Sequence, residues 1–274
     1  MTFENSGLQL NQDGPIAELV LNRPEKANAL DGALWSAIGE AFQEIDETSS
    51  ARVVILRGAG KHFCAGIDLS LLGKTQQEAM QESCEARKRE RLRRHILELQ
   101  DSFTAIERCR KPVLATIHGA CIGAGVDLVT ACDLRYSTAA AVFQVKEVDL
   151  AITADAGTLQ RLPHLVTHGV ALELSLTARK VFGSEAQALG LVNRCFEAQE
   201  SLLEETRKLA QSLADKSPLA VQGTKEILLH ARDHSVSEGL RYVAAWNAAL
   251  LLSDDLTVAA EAMMQKRRPA QFRD

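Results

Sequence analysis

The chain has 274 residues, 46% of them hydrophobic and 24% charged, with a formal charge of −5. That length suits one large domain or a domain with an appendage, and the composition is that of an ordinary folded protein. A mildly acidic chain is a poor default partner for nucleic acid. No apolar run approaches the roughly 18 residues needed to span a membrane. The six cysteines form no Cys-x-x-Cys pair and show no metal-ligand spacing, so they read as reduced, buried thiols.

The start, Met1-Thr2-Phe3-Glu4-Asn5, lacks the basic and apolar stretches of a secretory signal. The end, Gln271-Phe272-Arg273-Asp274, is not a peroxisomal tripeptide. A cytoplasmic location is therefore the expectation.

In chain order, Ile16 to Leu21 reads as a strand that stops at the turn signal Asn22-Arg23-Pro24. Leu34, Ile38, Phe42 and Ile45 recur at helical spacing. Arg52 to Leu56 is a second strand, closed by Gly58-Ala59-Gly60. Leu92, Ile96, Leu99, Phe103 and Ile106 mark another amphipathic helix. Val113 to Ile117 is a third strand. A glycine turn and a helix over about 123–132 follow, then short strands near 134–137 and 142–145. Beyond about residue 198 the pattern is helical throughout. The whole predicts an α/β core over 1–198 and a helical region over 199–274.

Six of the eight residues from Arg87 to Arg94 are Lys or Arg. They read as a solvated helix face, with attraction of a nucleotide phosphate, or of RNA, as the functional alternatives.

Three acids carry the candidate chemistry. Asp127 follows the glycine-rich turn His118-Gly119-Ala120-Cys121-Ile122-Gly123-Ala124-Gly125, Glu147 lies 20 residues later, and Asp155 another 8. Their neighbours are mostly apolar. Burial raises a carboxyl's proton affinity and lets one group hold a proton near neutrality while another does not, which is what proton transfer at carbon requires. Each acid also has a plainer reading: Asp127 as a surface position on a helix, Glu147 as a loop charge beside Lys146, Asp155 as a helix cap. Asp133 reads as structural and Asp149 as a loop residue. His62 and His118 read as structural or ligand-lining, since the chain holds no Gly-x-Ser-x-Gly elbow.

Four ordered segments together resemble the crotonase (enoyl-CoA hydratase/isomerase) superfamily: Leu21 to Leu30, His62 to Leu69, Ala115 to Asp127, and Ala186 to Val192. The resemblance spans nearly the whole chain. It implies a ββα superhelix with a C-terminal helical trimerisation region, and a homotrimer or homohexamer acting on acyl-CoA thioesters. It implies an oxyanion hole made by the N–H groups of Ile67 and Ala124. Lys26, Ala27, Ala29, Cys64, Ala65, Gly66, Asp68 and Gly123 are the implied lining for CoA and thioester. The family often has three successive glycines where this chain has Gly123-Ala124-Gly125, so the second donor depends on the backbone angles open to Ala124.

The segments Val126 to Tyr136 and Phe143 to Pro163 are most similar to Δ3,5-Δ2,4-dienoyl-CoA isomerases, which carry three acids. That resemblance implies Asp155 as the base at C2, Glu147 as the acid at C6 and Asp127 as a tuning group, with no cofactor and no metal. A 2-enoyl-CoA hydratase using Asp127 and Glu147 is the alternative; an RNA-binding or scaffold protein is a third reading.

Overall fold

A computed structural model of the chain describes residues 3, 6–48, 50–71, 73, 81–266 and 272–273. Its strands are β1 (Leu8–Asp13), β2 (Ile16–Leu21), β3 (Val53–Gly58), β4 (Val113–Ile117), β5 (Ala120–Ile122), β6 (Leu134–Thr138), β7 (Val142–Gln144), β8 (Val181–Phe182) and β9 (Arg194–Phe196). The larger sheet runs β1-β2-β3-β4-β6-β9; the smaller runs β5-β7-β8. Only β1 and β2 pair antiparallel in the larger sheet, through the tight turn at Gly14-Pro15. Strand β1 escaped the sequence reading because only Leu8 and Leu10 alternate in it before the polar run Asn11-Gln12-Asp13.

Strands β3 and β4 are apolar along nearly their whole length because both faces of the sheet are covered. Val54 and Leu56 pack into the main core beneath helix α1 (Gly32–Glu47) and helix α2 (Glu85–Arg108). Val53 and Ile55, pointing the other way, meet Ala210 and Ala214. Those alanines belong to α7 (Gln199–Ala214), so the sheet's second layer comes from just beyond residue 198. In chain order, α3 (Ala124–Thr130), α4 (Thr158–Arg161), α5 (His168–Thr177) and α6 (Gly183–Leu189) come between α2 and α7. The chain ends in α8 (Pro218–Asp233), α9 (Val236–Leu250) and α10 (Asp254–Met264). Each of these three starts at a serine whose hydroxyl accepts a main-chain N–H: Ser217 from Ala220, Ser235 from Glu238, Ser253 from Leu256. At Ser235 the Glu238 carboxylate answers with a bond to the Ser235 N–H, completing a capping box.

The basic run lies on the first turns of α2, and most of its cations pair with nearby glutamates. Lys88 pairs with Glu85 at 2.6 Å, and Arg93 and Arg94 both pair with Glu90 at 2.9 and 3.0 Å. Arg91 reaches Glu82 at 3.6 Å. Such pairs within one helix favour a solvated face over a phosphate-binding stripe.

Helices α1 and α2 approach closely. The Trp35 indole N–H donates to the Leu99 carbonyl at 2.9 Å, and its ring stacks on Phe103 with centroids 4.7 Å apart. Gly39 makes the approach possible, because a β-carbon there would lie 2.9 Å from the Ser102 Cα. Replacing Gly39 with leucine should therefore cost about 1–3 kcal/mol through overpacking, read as a lower urea midpoint at unchanged m-value.

Candidate active site

Two chain segments meet at one point of the core. Cys64 and Cys121 form a parallel bridge, with the Cys64 N–H donating to the Ala120 carbonyl at 2.9 Å and the Ile122 N–H to the Cys64 carbonyl at 3.0 Å. On its other side the same segment pairs with Leu30: the Leu30 N–H donates to Gly66 at 2.8 Å, and the Asp68 N–H to Leu30 at 2.9 Å. Parallel pairing of this kind turns the Ile67 N–H away from Leu30. The Ala124 N–H opens α3, where no intrahelical acceptor exists. Among the described residues neither N–H meets an acceptor.

The turning angles fall on glycines, Gly66 with φ 99° and Gly123 with φ 51°. A β-carbon on Gly66 would sit 2.9 Å from the Ile122 carbonyl oxygen and 3.8 Å from the Ala124 nitrogen, so the two main chains nearly touch. Ala124 itself is the first residue of α3 and is not among the residues with positive φ. Its methyl group therefore brings no backbone strain, and the N–H is kept.

Glu147 begins a short 3₁₀ turn over Glu147–Leu150. Its carboxylate lies directly over Gly123, with Oε1 3.2 Å from where a β-carbon would stand. Oε2 is buried and has no hydrogen-bond partner. Burial, reinforced by the Asp127 charge, pushes the Glu147 carboxyl up to about 7.

Asp127, 2% exposed on α3, accepts the Thr158 N–H at 2.6 Å. Burial pushes its carboxyl up to about 6, the Thr158 bond pulls the other way, and the Asp155 charge adds to the rise. Asp155 stands exposed on the segment entering α4, and partial burial raises its carboxyl too, against the pull of His95. The three acids are thus close enough for Asp127 to feel Asp155 and for Glu147 to feel both.

Two plainer readings of the acids fail. Asp127 is no surface position, and Asp155 does not cap α4. The cap residue there is Gly157, without a side-chain bond, and Asp127 satisfies the buried Thr158 N–H from across the fold. Asp133 is structural as expected: it accepts the Val113 N–H at 2.7 Å and pairs with Lys225 at 2.7 Å. Asp149 pairs with Lys146 at the surface. His62 accepts the Ala120 N–H at 3.1 Å, and His118 bonds the Gly60 carbonyl at 2.9 Å with its proton affinity lowered by burial.

The expected CoA-lining residues cluster on one edge. Ala65 donates its N–H to the Ala27 carbonyl at 3.0 Å, which brings Lys26, Ala27 and Ala29 beside Ala65 and Gly66. Asp68 is held by Ser70 at 2.8 Å and faces Arg23 at 3.4 Å. Cys64 is the exception. Its thiol is fully buried and pushed up to about 12, so only its main chain is placed to line a ligand.

Sequence reasoning missed the apolar wall. A cavity of about 330 Å³ has Glu147 on its lining, with Val145, Ala154, Leu159, Leu162 and Ala171 around it; Asp155, next in the chain after Ala154, is not part of that lining. Helix α5 supplies part of this wall. Its two apolar faces cancel in a periodicity count, and Leu172 and Leu176 remain 46% and 70% exposed.

The family model for enoyl-CoA hydratase/isomerase matches residues 11–274. The chain belongs to this family. It is 50% identical over 262 residues to the peroxisomal Δ(3,5)-Δ(2,4)-dienoyl-CoA isomerase of Arabidopsis thaliana, covering 96% of this chain and 94% of that one. It is 47% identical over 255 residues to the mitochondrial Δ(3,5)-Δ(2,4)-dienoyl-CoA isomerase of Mus musculus, covering 92% and 77%. The crystal structure of an enoyl-CoA hydratase from Bacillus anthracis superimposes with a TM-score of 0.86 at 30% identity, covering 96% and 98%. The crotonase-type architecture expected from the motifs is thus the one this chain adopts. The expectation of a cytoplasmic protein is overturned, because these two relatives are named as peroxisomal and mitochondrial.

A carboxyl with a raised pKa keeps its proton in the folded chain after the unfolded chain has lost its own, so stability falls as pH rises through that window. For Glu147 the window runs from 4.5 to about 7. Glu147→Gln should accordingly stabilise the fold at pH 8 by on the order of 1–3 kcal/mol. The gain should shrink toward pH 4.5, as paired urea titrations would show.

Proposed function

We propose that this protein isomerises 3,5-dienoyl-CoA thioesters to 2,4-dienoyl-CoA thioesters, a step of unsaturated fatty-acid β-oxidation. The observation that carries the proposal is the placement of Glu147, a carboxyl that holds a proton near neutrality, beside two main-chain N–H groups without acceptors. The relatives named as isomerases of this type support the same reading.

In this mechanism the thioester oxygen sits between the Ile67 and Ala124 N–H groups. Asp155 takes a proton from C2, the C2–H electron pair forms the C1–C2 double bond, and negative charge moves onto the oxygen. The two amides stabilise that charge; removing one such donor elsewhere costs about 3–4 kcal/mol. The electrons return through the conjugated chain as C6 takes a proton from Glu147, leaving double bonds at C2 and C4. C2 and C6 are four bonds apart, which is why two acids at separate places suit the task. An acid placed at C4 instead would yield a 2,5-diene. Asp127 anchors α4 and raises the proton affinity of Glu147. The substrate loses a proton at C2 to Asp155 and gains one at C6 from Glu147, the two acids are reset by proton exchange with water, and no electrons are exchanged, so the proposal calls for no cofactor beyond the CoA of the substrate, and for no metal.

A hydratase would need Asp127 and Glu147 to share an activated water. Asp127 is 2% exposed and committed to the Thr158 N–H, which disfavours it for that task.

The reading is tested with 3,5-dienoyl-CoA, whose product absorbs at longer wavelength. Asp155→Asn and Glu147→Gln should each lower kcat by about 10²–10⁴. The wild-type kcat/KM should fall on the alkaline side near pH 7 as Glu147 loses its proton, and on the acid side as Asp155 gains one. Retention of most activity by either variant removes that residue from the mechanism.

The protein further acts, on this proposal, as a homotrimer or homohexamer. Leu240 and Met263 of the terminal helices and Leu251 and Leu252 of the turn between α9 and α10 are 63%, 81%, 56% and 95% exposed, which suits contact with further copies. Light scattering should give three or six times the 29.8 kDa chain mass; a monomer would refute it.

A further inference from the structure

We propose that Gln100 is a positioning residue for the base: its side-chain amide fixes the peptide at Asp155 and so aims that carboxylate at C2 of the substrate. The inference rests on the reading of Asp155 as the base.

The Gln100 Nε2 donates to the Asp155 main-chain carbonyl at 2.6 Å. Residues 153–156 form no helix or strand. Among the described residues, this is the one hydrogen bond that reaches their main chain from elsewhere in the molecule. Ala154 and Ala156 are buried at 5% and 4% exposure, which pins their β-carbons. Two pinned methyl groups leave the peptide between them free to rotate about the chain axis, and such rotation swings the Asp155 side chain. The Gln100 bond removes that freedom.

The platform behind Gln100 is rigid. The neighbouring Leu99 carbonyl receives the Trp35 indole N–H, and Gly39 lets α1 press against Ser102. Gln100, Thr104 and Glu107 are spaced i, i+4, i+7 and share one face of α2. Thr104 and Glu107 hold the Arg161 guanidinium at 3.4 and 3.3 Å. That guanidinium lies across Gly157, where any β-carbon would collide with it. One helix face thus grips the turn that carries Asp155 at both ends. A shift of about 1 Å in a catalytic group costs on the order of a hundredfold in rate.

The test compares Gln100→Leu, which keeps size and loses the donor, with Gln100→Lys, which restores a donor, using Asp155→Asn and Glu147→Gln as references. Two quantities are read: kcat and KM on 3,5-dienoyl-CoA, and exchange of the C2 hydrogens in deuterated water, which reports the base step alone. Gln100→Leu should lower kcat by about 10–100-fold with KM within about twofold, and C2 exchange should fall in step. Gln100→Lys should recover a substantial part of both. Should Gln100→Leu fail to fold, Gln100→Glu, of equal size and without a donor, takes its place. Wild-type kcat in the donor-less variant, or slow turnover with undiminished C2 exchange, overturns the role of Gln100. Undiminished C2 exchange in Asp155→Asn overturns the base assignment instead, whatever Gln100 does. Glu147→Gln should retain C2 exchange while losing product.

Discussion

Everything at the candidate site follows from the parallel pairing of the Cys64 segment with β5. That pairing uses up the hydrogen bonds of Cys64, Ala120 and Ile122 and then stops, because Gly66 and Gly123 both turn the chain into positive φ. Immediately past the stop stand two N–H groups with no acceptor, on the residues where Leu30 and α3 take over. The surrounding main chain orients both donors before any ligand arrives, and a preorganised donor pays no reorganisation when charge develops beside it.

The carboxylates show an exchange of stability for chemistry. Glu147 keeps one oxygen buried and unbonded. A surface position would be more comfortable, but its proton would then be gone well below neutrality. Asp127 shows how the fold contains this cost. Its charge is partly answered by the Thr158 N–H, and the same bond ties α3 to α4. One residue thus serves architecture and electrostatics at once. The buried cysteines at 64, 121 and 132 do the reverse: burial drives their thiols so far toward the protonated form that they act as small apolar side chains.

Helix α2 illustrates what a one-dimensional reading loses. Its apolar stripe, Leu99, Phe103 and Ile106, predicts the side turned to the core. Its polar side looks like a solvated face, and for the first turns, with Glu85 and Glu90 paired to neighbouring cations, it is one. The same polar side further along carries Gln100, Thr104 and Glu107, which bind residues 155 and 161. Nothing in the local pattern separates the two stretches, because the difference lies in which distant segment passes in front of them.

Legible in the residues alone were the central strands, the α1 and α2 helices, the helical character of the region beyond about residue 198, and the family. Each of these rests on short-range signals: apolar runs, helical periodicity, turn residues, and glycines that must turn. The sequence also marked the three acids. Only the tertiary structure decided what they could do. It buried Asp127 and bonded it to Thr158, laid Glu147 over Gly123 and left Asp155 exposed. A carboxyl's proton affinity is set by the water removed from it and the charges brought near it. Those neighbours come from strands and helices tens of residues away, so no window of sequence contains them.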